Sequence, residues 1–360
     1  MPDNVINIYN TRAMAEMVRF EPGVARFLRE TFFPDSRVKL YDTDTIDIDI
    51  VQGGRPIACM VKKYEDGNLV EDSGFETNSF KTGYLNEFKE SKAEDYLKRK
   101  PQENPYDYTP PAVQAQQKLQ EDFKELVDRQ NRAEEVMAVE VLTTGKFTGR
   151  NKDGVKIYEA DYKMRLKHQP VLEPAKMWDK TGVTKNDVLE TIRQDWIVNL
   201  LQKDGGRMPT HMILGHRAFN AFLRLVDPDN QNSSISSFRA FRGEVTPRME
   251  EMGVFFLGKF PELGNIDVIG YNEWYDDPWD GETKPIFPAD TALLLSKNAR
   301  YDRQYGKINH REAPDRIARY PYTWYTDNRK KMYVQLESAP LLSPYEIDTI
   351  VSATVTGTTA

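Results

Sequence analysis

The sequence has very little of what disulfide, metal and redox chemistry require. One cysteine, Cys59, stands among 360 residues, so no internal disulfide can form, and this favours assembly in a reducing cytoplasm. The four histidines are scattered, and His211 and His216 do not have the spacing of a helical zinc pair. The composition therefore predicts no metal and no cofactor.

Long hydrophobic runs are also absent. No stretch approaches about 18 consecutive apolar residues, so we expect no membrane-spanning helix. Residues 1–4 lack the basic start of a secretory signal. The formal net charge of −7 argues against a general nucleic-acid binder, because such proteins displace phosphate counterions with a basic surface. We expect contact with DNA to be weak.

Catalytic signatures are missing as well. Gly145 and Lys146 would end a phosphate-binding loop, but Glu140 stands where that motif needs a glycine. No Gly-x-Ser-x-Gly elbow occurs, and Cys59 has no neighbouring histidine to activate it. Nothing singles out a catalytic pair among the 56 acidic residues. The sequence therefore predicts a protein that is not an enzyme.

One long helix is the strongest feature that the sequence does contain. Between Pro111 and Gly145, apolar residues recur at three- and four-residue steps, which places them on one face of a helix. They are Leu119, Phe123, Leu126, Ala133, Met137 and Val141. The opposite side is expected to carry Glu121, Asp122, Glu125, Asp128, Arg132 and Glu135. At 1.5 Å per residue the helix would be roughly 50 Å long, which suits a strut laid across a sheet.

Extended segments precede this helix. Isoleucines alternate with aspartates over residues 46–50, which predicts a strand with one solvated face rather than a metal site. An Asp-Gly turn at Gly67 and Asn68, between extended stretches, predicts that residues 52–90 form a long two-stranded loop projecting from the body. Residues 1–37 carry short apolar clusters that suggest an arm with a short helix.

Residues after the long helix alternate between helix and strand, as in a compact α/β unit. Thr184 and Asp187 predict a capping box at the start of a second amphipathic helix. The polar stretch 227–237, which includes Asn230, predicts an exposed loop tip. The acidic turn 276–281 is interpreted as a hairpin tip, because a proline and a tryptophan interrupt the ligand spacing of a calcium loop.

The block 301–331 is basic and aromatic. It has eight Arg or Lys residues against four acids, interleaved with tyrosines and a tryptophan. Single-strand nucleic-acid binders use this combination, and so do protein interfaces, where Arg, Tyr and Trp concentrate the binding energy. The acidic chain as a whole favours the interface interpretation.

Several segments near the C-terminus occur in a familiar order. They are Pro288-Ala289-Asp290-Thr291, Asn298-Ala299-Arg300, Gln304-Tyr305-Gly306, Ala318-Arg319-Tyr320-Pro321 with Trp324, and Ser338-Ala339-Pro340-Leu341-Leu342 with Pro344. In this order they resemble the lambda-type major capsid proteins of tailed bacteriophages. The resemblance spans roughly residues 17–344 and depends on collinearity rather than on one motif. Glu337 stands where the family has Gln, and residues 348–360 have no counterpart that we recognise.

The resemblance implies an α+β chain with the Hong Kong 97-like phage capsid fold. It assigns residues 1–37 to an N-terminal arm and 38–100 to the extended loop and peripheral-domain strands. Residues 101–183 would form the peripheral domain with its spine helix at 111–145, and 184–300 the axial domain. Residues 301–360 would supply the C-terminal strands and tail. The implied function is the major subunit of an icosahedral head shell that encloses double-stranded DNA, located in the virion and assembled in the cytoplasm of a bacterial host.

The implied partners are other copies of the chain, in pentamers and hexamers, with a portal, a scaffold and a decoration protein. The candidate inter-subunit contacts are Phe32, Phe33, Gly67, Asn68, Lys81, Asn230, Arg311, Arg316, Arg319, Tyr320 and Trp324. An encapsulin-like nanocompartment shell is the alternative of the same fold, and an unrelated enzyme or nucleic-acid binder is a further one.

Overall fold

The computed structural model describes Met14 and residues 26–51, 75–92, 111–226, 253–326 and 331–357. The predicted turn at Gly67 and Asn68 and the predicted loop tip at Asn230 lie outside the described residues. The described helices are α1 (Phe27–Phe32), α2 (Pro111–Thr144), α3 (Lys185–Glu190), which continues as a π-helical segment (Thr191–Gly205), and α4 (His216–Val226).

Seventeen strands occur within the described ranges. The strands before α3 are β1 (Val38–Leu40), β2 (Thr45–Val51), β3 (Phe75–Lys81), β4 (Leu85–Lys92), β5 (Lys146–Arg150) and β6 (Lys156–Asp161). Those of the next segment are β7 (His211–Leu214), β8 (Val254–Phe260), β9 (Ile266–Tyr271), β10 (Trp274–Asp276), β11 (Thr283–Pro285) and β12 (Thr291–Leu295). The last are β13 (Tyr301–Tyr305), β14 (Arg319–Tyr325), β15 (Lys331–Ser338), β16 (Pro340–Pro344) and β17 (Val351–Thr354).

A five-stranded sheet with the order β17-β12-β7-β9-β8 is built from strands between residues 211 and 354. Only β7 and β9 pair in parallel, and the other neighbours are antiparallel. Alternate residues of β7 enter different clusters: Ile213 joins the core shared with α2, whereas Met212 and Leu214 pack with α4 and the π-helical segment. Both faces of the sheet are therefore covered. Residues 351–354, for which the sequence predicted no individual element, form the edge strand β17 of this sheet.

The predicted long helix is confirmed as α2, which ends one residue before Gly145. The amide of Gly145 donates to the carbonyl oxygen of Val141 at 3.0 Å, and its φ of +70° closes the helix in the left-handed conformation. A Cβ at this position would lie 2.3 Å from Cβ of Met164. Glycine is therefore required here both by the backbone conformation and by the close approach of the following chain.

A three-stranded sheet with the order β14-β15-β4 lies along the N-terminal half of α2. Alternate residues of β15 point towards the helix, so Met332, Val334 and Leu336 pack against Leu119 and Phe123. This small cluster is separate from the main core. The predicted strut laid across a sheet is therefore present.

Other local predictions also hold. Strands β2 and β3 pair antiparallel from Thr45 opposite Lys81 to Val51 opposite Phe75. Residues 52–74 of the predicted long loop lie outside the described residues, and β4 at its predicted end pairs with β15. Thr184 and Asp187 form the reciprocal capping box. In the acidic turn, Lys284 pairs with Asp277 and Asp280 across a hairpin, as the hairpin interpretation expects. 

Candidate assembly surfaces and buried charge network

The outer face of the β14-β15-β4 sheet carries four aromatic rings that contact one another. Period-two alternation turns Tyr322 and Trp324 of β14, Tyr333 of β15 and Phe88 of β4 away from α2. Trp324 stacks on Tyr333 with ring centroids 5.1 Å apart and on Tyr322 at 5.9 Å. Phe88 lies 6.0 Å from both Trp324 and Tyr333. We call these four residues the aromatic face.

The rings of the aromatic face are ordered by contacts within the subunit and are partly exposed. Phe88 is 62% exposed, although its neighbours on the other side of the sheet are packed against α2. The Trp324 and Tyr333 rings stack on each other, with a centroid distance of 5.1 Å and an interplanar angle of 19°. This stacking restricts both side chains in the free subunit. Ordering these side chains on binding therefore costs little conformational entropy.

Four of the predicted contact residues remain available at the surface. Lys81, Arg311 and Arg316 are exposed, and Trp324 belongs to the partly exposed aromatic face. Arg316 reaches Asp42 at 3.4 Å, but both side chains are more than half exposed, so this pair is weakly held.

Four other predicted contact residues have partners inside the subunit, and a contact with a neighbouring copy stays a prediction for them. Phe32 and Phe33 are buried, with ring centroids 5.9 and 5.6 Å from Tyr301. Tyr320 is covered by His310, whose ring centroid lies 4.8 Å away. The guanidinium of Arg319 is taken by the buried carboxylate of Glu134. These four side chains contact other residues of the same subunit. Their spacing along the sequence does not indicate these contacts.

Glu134 is the centre of a buried charge network. Its Oε1 accepts from the hydroxyl of Tyr305 at 2.9 Å and from Nη2 of Arg319 at 3.1 Å. Its Oε2 accepts from Nε of Arg29. Arg319 also donates to the side chain of Asn131. The network therefore joins the N-terminal segment, α2, β13 and β14 through one carboxylate.

Glu135 performs a different task beside it. Its Oε1 accepts from the backbone N–H of Leu28 at 2.8 Å and its Oε2 from that of Arg29 at 2.8 Å. These are unpaired amides in the first turn of α1, so Glu135 caps that helix from 106 residues away in sequence. The hydroxyl of Tyr271 at the end of β9 lies 2.7 Å from the same Oε1.

The two neighbouring carboxyl groups respond to burial in opposite ways. Burial by itself raises the pKa of Glu134, but the guanidinium groups of Arg319 and Arg29 together hold that pKa below its usual value. Burial also raises the pKa of Glu135, and the hydrogen bonds from the Arg29 and Leu28 amides do not offset it. The pKa of Glu134 is therefore shifted downwards and that of Glu135 upwards, although the two residues are adjacent on α2.

The sequence did not predict this network. Glu135 was expected on the polar side of α2, and Asp122 likewise, yet both are buried. Asp122 is compensated by the ammonium groups of Lys89 and Lys118, each at 3.0 Å. Apart from Lys118 and Asn131, which lie on α2 itself, the partners come from strands and segments far away along the chain, and a helical pattern contains no signal of them.

Two classes of site are absent from the described part of the chain. Among these residues, no three His, Cys, Asp or Glu side chains come together in a way that suits a metal ion. None of the helices in the described ranges is both long and apolar enough to cross a bilayer.

Solved structures identify the fold. A capsid protein of an Escherichia coli CFT073 prophage superimposes with a TM-score of 0.68 at 22% identity, over 96% of this chain and 99% of that one. A phage-related protein of Bordetella bronchiseptica gives a TM-score of 0.51 at 10% identity, over 96% and 97%. The predicted α+β, Hong Kong 97-like capsid fold is therefore confirmed.

Sequence comparison gives the family. The model of the family described as phage major capsid protein E matches residues 10–355. The major capsid protein of Escherichia phage lambda is 24% identical over 354 residues, covering 94% of this chain and 96% of that protein. The major capsid protein of Enterobacteria phage P21 is 22% identical over 349 residues. The chain belongs to the phage major capsid protein E family, and its class of function is the head shell of a tailed phage.

Proposed function

We propose that copies of this chain close into rings of five and six, and that these rings form an icosahedral shell around a double-stranded DNA genome. The observation that carries the proposal is the family match over residues 10–355. Head-to-tail interfaces generate such rings when the rotation closes. A subunit of this kind needs a rigid body and several separate contact surfaces.

The body and the surfaces described above suit that role. The doubly covered five-stranded sheet and the Glu134 network supply rigidity. The aromatic face and the exposed cations Lys81, Arg311 and Arg316 supply contacts with neighbouring copies. Each contact is modest, but many of them act together in a closed shell, so the assembly is far more stable than any one of them.

The segments take their roles by analogy with the family. Residues 1–37 act as the N-terminal arm and residues 38–100 include the extended loop that reaches a neighbouring subunit, with Gly67 and Asn68 at its turn. Residues 101–183 form the peripheral domain and 184–300 the axial domain around the ring axes, with Asn230 near the tip. The 301–360 segment completes both domains.

The partners beyond the chain itself are a portal, a scaffold and a decoration protein, and assembly takes place in the cytoplasm of the bacterial host. The net charge of −7 keeps adhesion to the packaged DNA weak, because a phosphate-binding surface needs clustered cations.

The test is expression of the full chain, alone and with the products of the neighbouring genes, followed by light scattering and negative-stain electron microscopy. Closed shells or rings of five and six are expected. A small species under every condition would overturn the proposal. Shells that enclose a cargo protein in place of DNA would favour the nanocompartment alternative.

A matched pair of variants tests the aromatic face. Phe88→Ser removes an exposed ring that the core does not use, and it is expected to reduce shell yield while the subunit keeps its thermal stability. Leu166→Ser is the control, because Leu166 is 85% exposed and lies outside the aromatic face. Equal shell yields from the two variants would exclude the aromatic face from assembly.

A further inference from the structure

Three side-chain oxygens lie in a row where the N-terminal segment meets α2 and β9. The hydroxyl oxygen of Tyr271 is 2.7 Å from Oε1 of Glu135 and 2.8 Å from Oε2 of Glu273. Glu135 and Tyr271 are buried, and the Glu273 side chain is 15% exposed. Both separations are hydrogen-bond distances, so each needs a proton between its two oxygens.

Tyr271 cannot supply both protons. A phenol has one O–H, and an ionised carboxylate only accepts. If Glu135 and Glu273 were both ionised, one of the two short contacts would set lone pairs against each other. The geometry therefore requires one more proton, which one of the two carboxyl groups must carry.

The surrounding charges decide which carboxyl carries it. Glu273 forms an ion pair with the guanidinium of Arg26, which favours its ionised form. Glu135 accepts from backbone amides and forms no ion pair with a guanidinium. Burial, the largest influence, raises its pKa, and the attraction of Arg26 is the smallest of the influences that lower it. Two further charged residues of α2 act on Arg26: Arg132 lowers the pKa of its guanidinium, and Asp128 raises it.

We propose that Glu135, Tyr271 and Glu273 form a hydrogen-bond chain that holds one proton on Glu135 at neutral pH and releases it at alkaline pH, which loosens the N-terminal segment from α2. Glu135 Oε1 donates to the Tyr271 oxygen, and the Tyr271 hydroxyl donates to Glu273. This device goes beyond shell formation and does not depend on it.

The direction of the pH response follows from the proton count. The protonated form of Glu135 is favoured by the folded state, so its stabilising contact is complete below the carboxyl's unfolded pKa and is lost as the pH rises through the folded one. Glu134, one residue away, is held ionised by two arginines and responds in the opposite direction. It is therefore the matched control.

Infrared difference spectroscopy on the full-length chain tests the assignment, because a protonated carboxyl has a C=O stretch separate from that of a carboxylate. The wild type at neutral pH is expected to show one buried protonated carboxyl that disappears on alkaline titration. Glu135→Gln should remove this band, and Glu134→Gln should leave it. The same band in Glu135→Gln would overturn the proposal.

Glu273→Gln separates the hydrogen-bond chain from simple burial. Its thermal stability is measured alongside, because Arg26 loses its carboxylate partner. The new amide donates to the Tyr271 oxygen, and Tyr271 then donates to Glu135, so no extra proton is needed. The carboxyl band should disappear although Glu135 is still present. Its persistence would show that burial alone holds the proton and would refute the chain.

Hydrogen exchange gives a second readout. Burial disfavours the ionised form of Glu135 more than the amide hydrogen bonds of Leu28 and Arg29 favour it, so opening of the N-terminal segment becomes easier once Glu135 is ionised. The protection factors of these two amides, corrected for intrinsic exchange, should therefore fall in the wild type as the pH becomes alkaline. They should stay constant in Glu135→Gln, whose amide oxygen does not change charge. The same alkaline fall in both proteins would contradict the proposal.

Discussion

The two halves of α2 are held by different kinds of contact. The N-terminal half packs an apolar stripe against β15, leaves residues such as Glu125 exposed to solvent, and buries one carboxylate, Asp122, beside two lysines. The C-terminal half enters the main core with Met137 and Val141 and also buries Glu134 and Glu135. The first half is a strut fixed by side-chain packing, whereas the second is a joint fixed by buried hydrogen bonds. Removal of a carboxylate is therefore expected to lower the stability of the subunit more at Glu134 in the C-terminal half than at Glu125 in the N-terminal half.

The largest effect is expected at the joint. Glu134→Ala leaves Arg29 and Arg319 buried without their carboxylate, and removal of one partner from a buried ion pair costs about 3–5 kcal/mol. Urea unfolding of the subunit measures this loss. The control is Glu125→Ala in the N-terminal half, whose side chain is 52% exposed beside Lys89 and should change stability by less than about 1 kcal/mol. Equal losses would remove the distinction between the halves.

A cavity in the strut is expected to have the next largest effect. Leu126→Ala empties part of the cluster between α2 and β15, and such truncations cost about 2–5 kcal/mol. Denaturant unfolding gives the loss, and its pH dependence should match that of the wild type because no charge is altered. A changed pH dependence would mean that packing in the strut and the charges of the joint are coupled.

Acid should weaken the joint through Glu134. Its pKa is held below the usual 4.5 by Arg319 and Arg29, against the opposing influence of burial. The stability that it contributes is therefore complete above its unfolded pKa and is lost as the pH falls through the folded one. Thermal unfolding between neutral pH and about pH 3 should decline more steeply for the wild type than for Glu134→Gln. Parallel declines would contradict this assignment.

The smallest effect is expected from an exposed ion pair near the middle of α2. Arg129 contacts Glu87 of β4 at 2.9 Å, with both side chains more than a third exposed. Arg129→Ala should cost between about 0 and 1 kcal/mol, and added salt should reduce the difference from the wild type. A loss as large as that of Glu134→Ala would show that α2 also depends on exposed charge.

The same comparison explains what the sequence could predict. Helical spacing between Pro111 and Gly145 was sufficient for α2, and period-two alternation was sufficient for β2, because both depend on neighbours a few residues apart. The hairpin at 276–281 and the capping box at Thr184 are equally local. These elements form wherever the local pattern is satisfied.

The remaining features depend on partners that are distant in sequence. Glu135 caps α1 across 106 residues. The apolar character of Phe32 and Phe33 predicts that they are buried, but it does not indicate which cluster of the fold buries them. The aromatic face was predicted only through Trp324, because Phe88 joins it from another strand. Charge and aromaticity indicate that such residues matter, but they do not specify which surface or core receives them.

The most direct measurement is a cryo-electron microscopy reconstruction of the particle formed when the chain is expressed with its neighbouring genes. The account predicts a closed shell whose pentamers and hexamers are both built from this chain, with α2 and the five-stranded sheet recognisable in every subunit. A particle whose shell is built from a different protein would contradict the account.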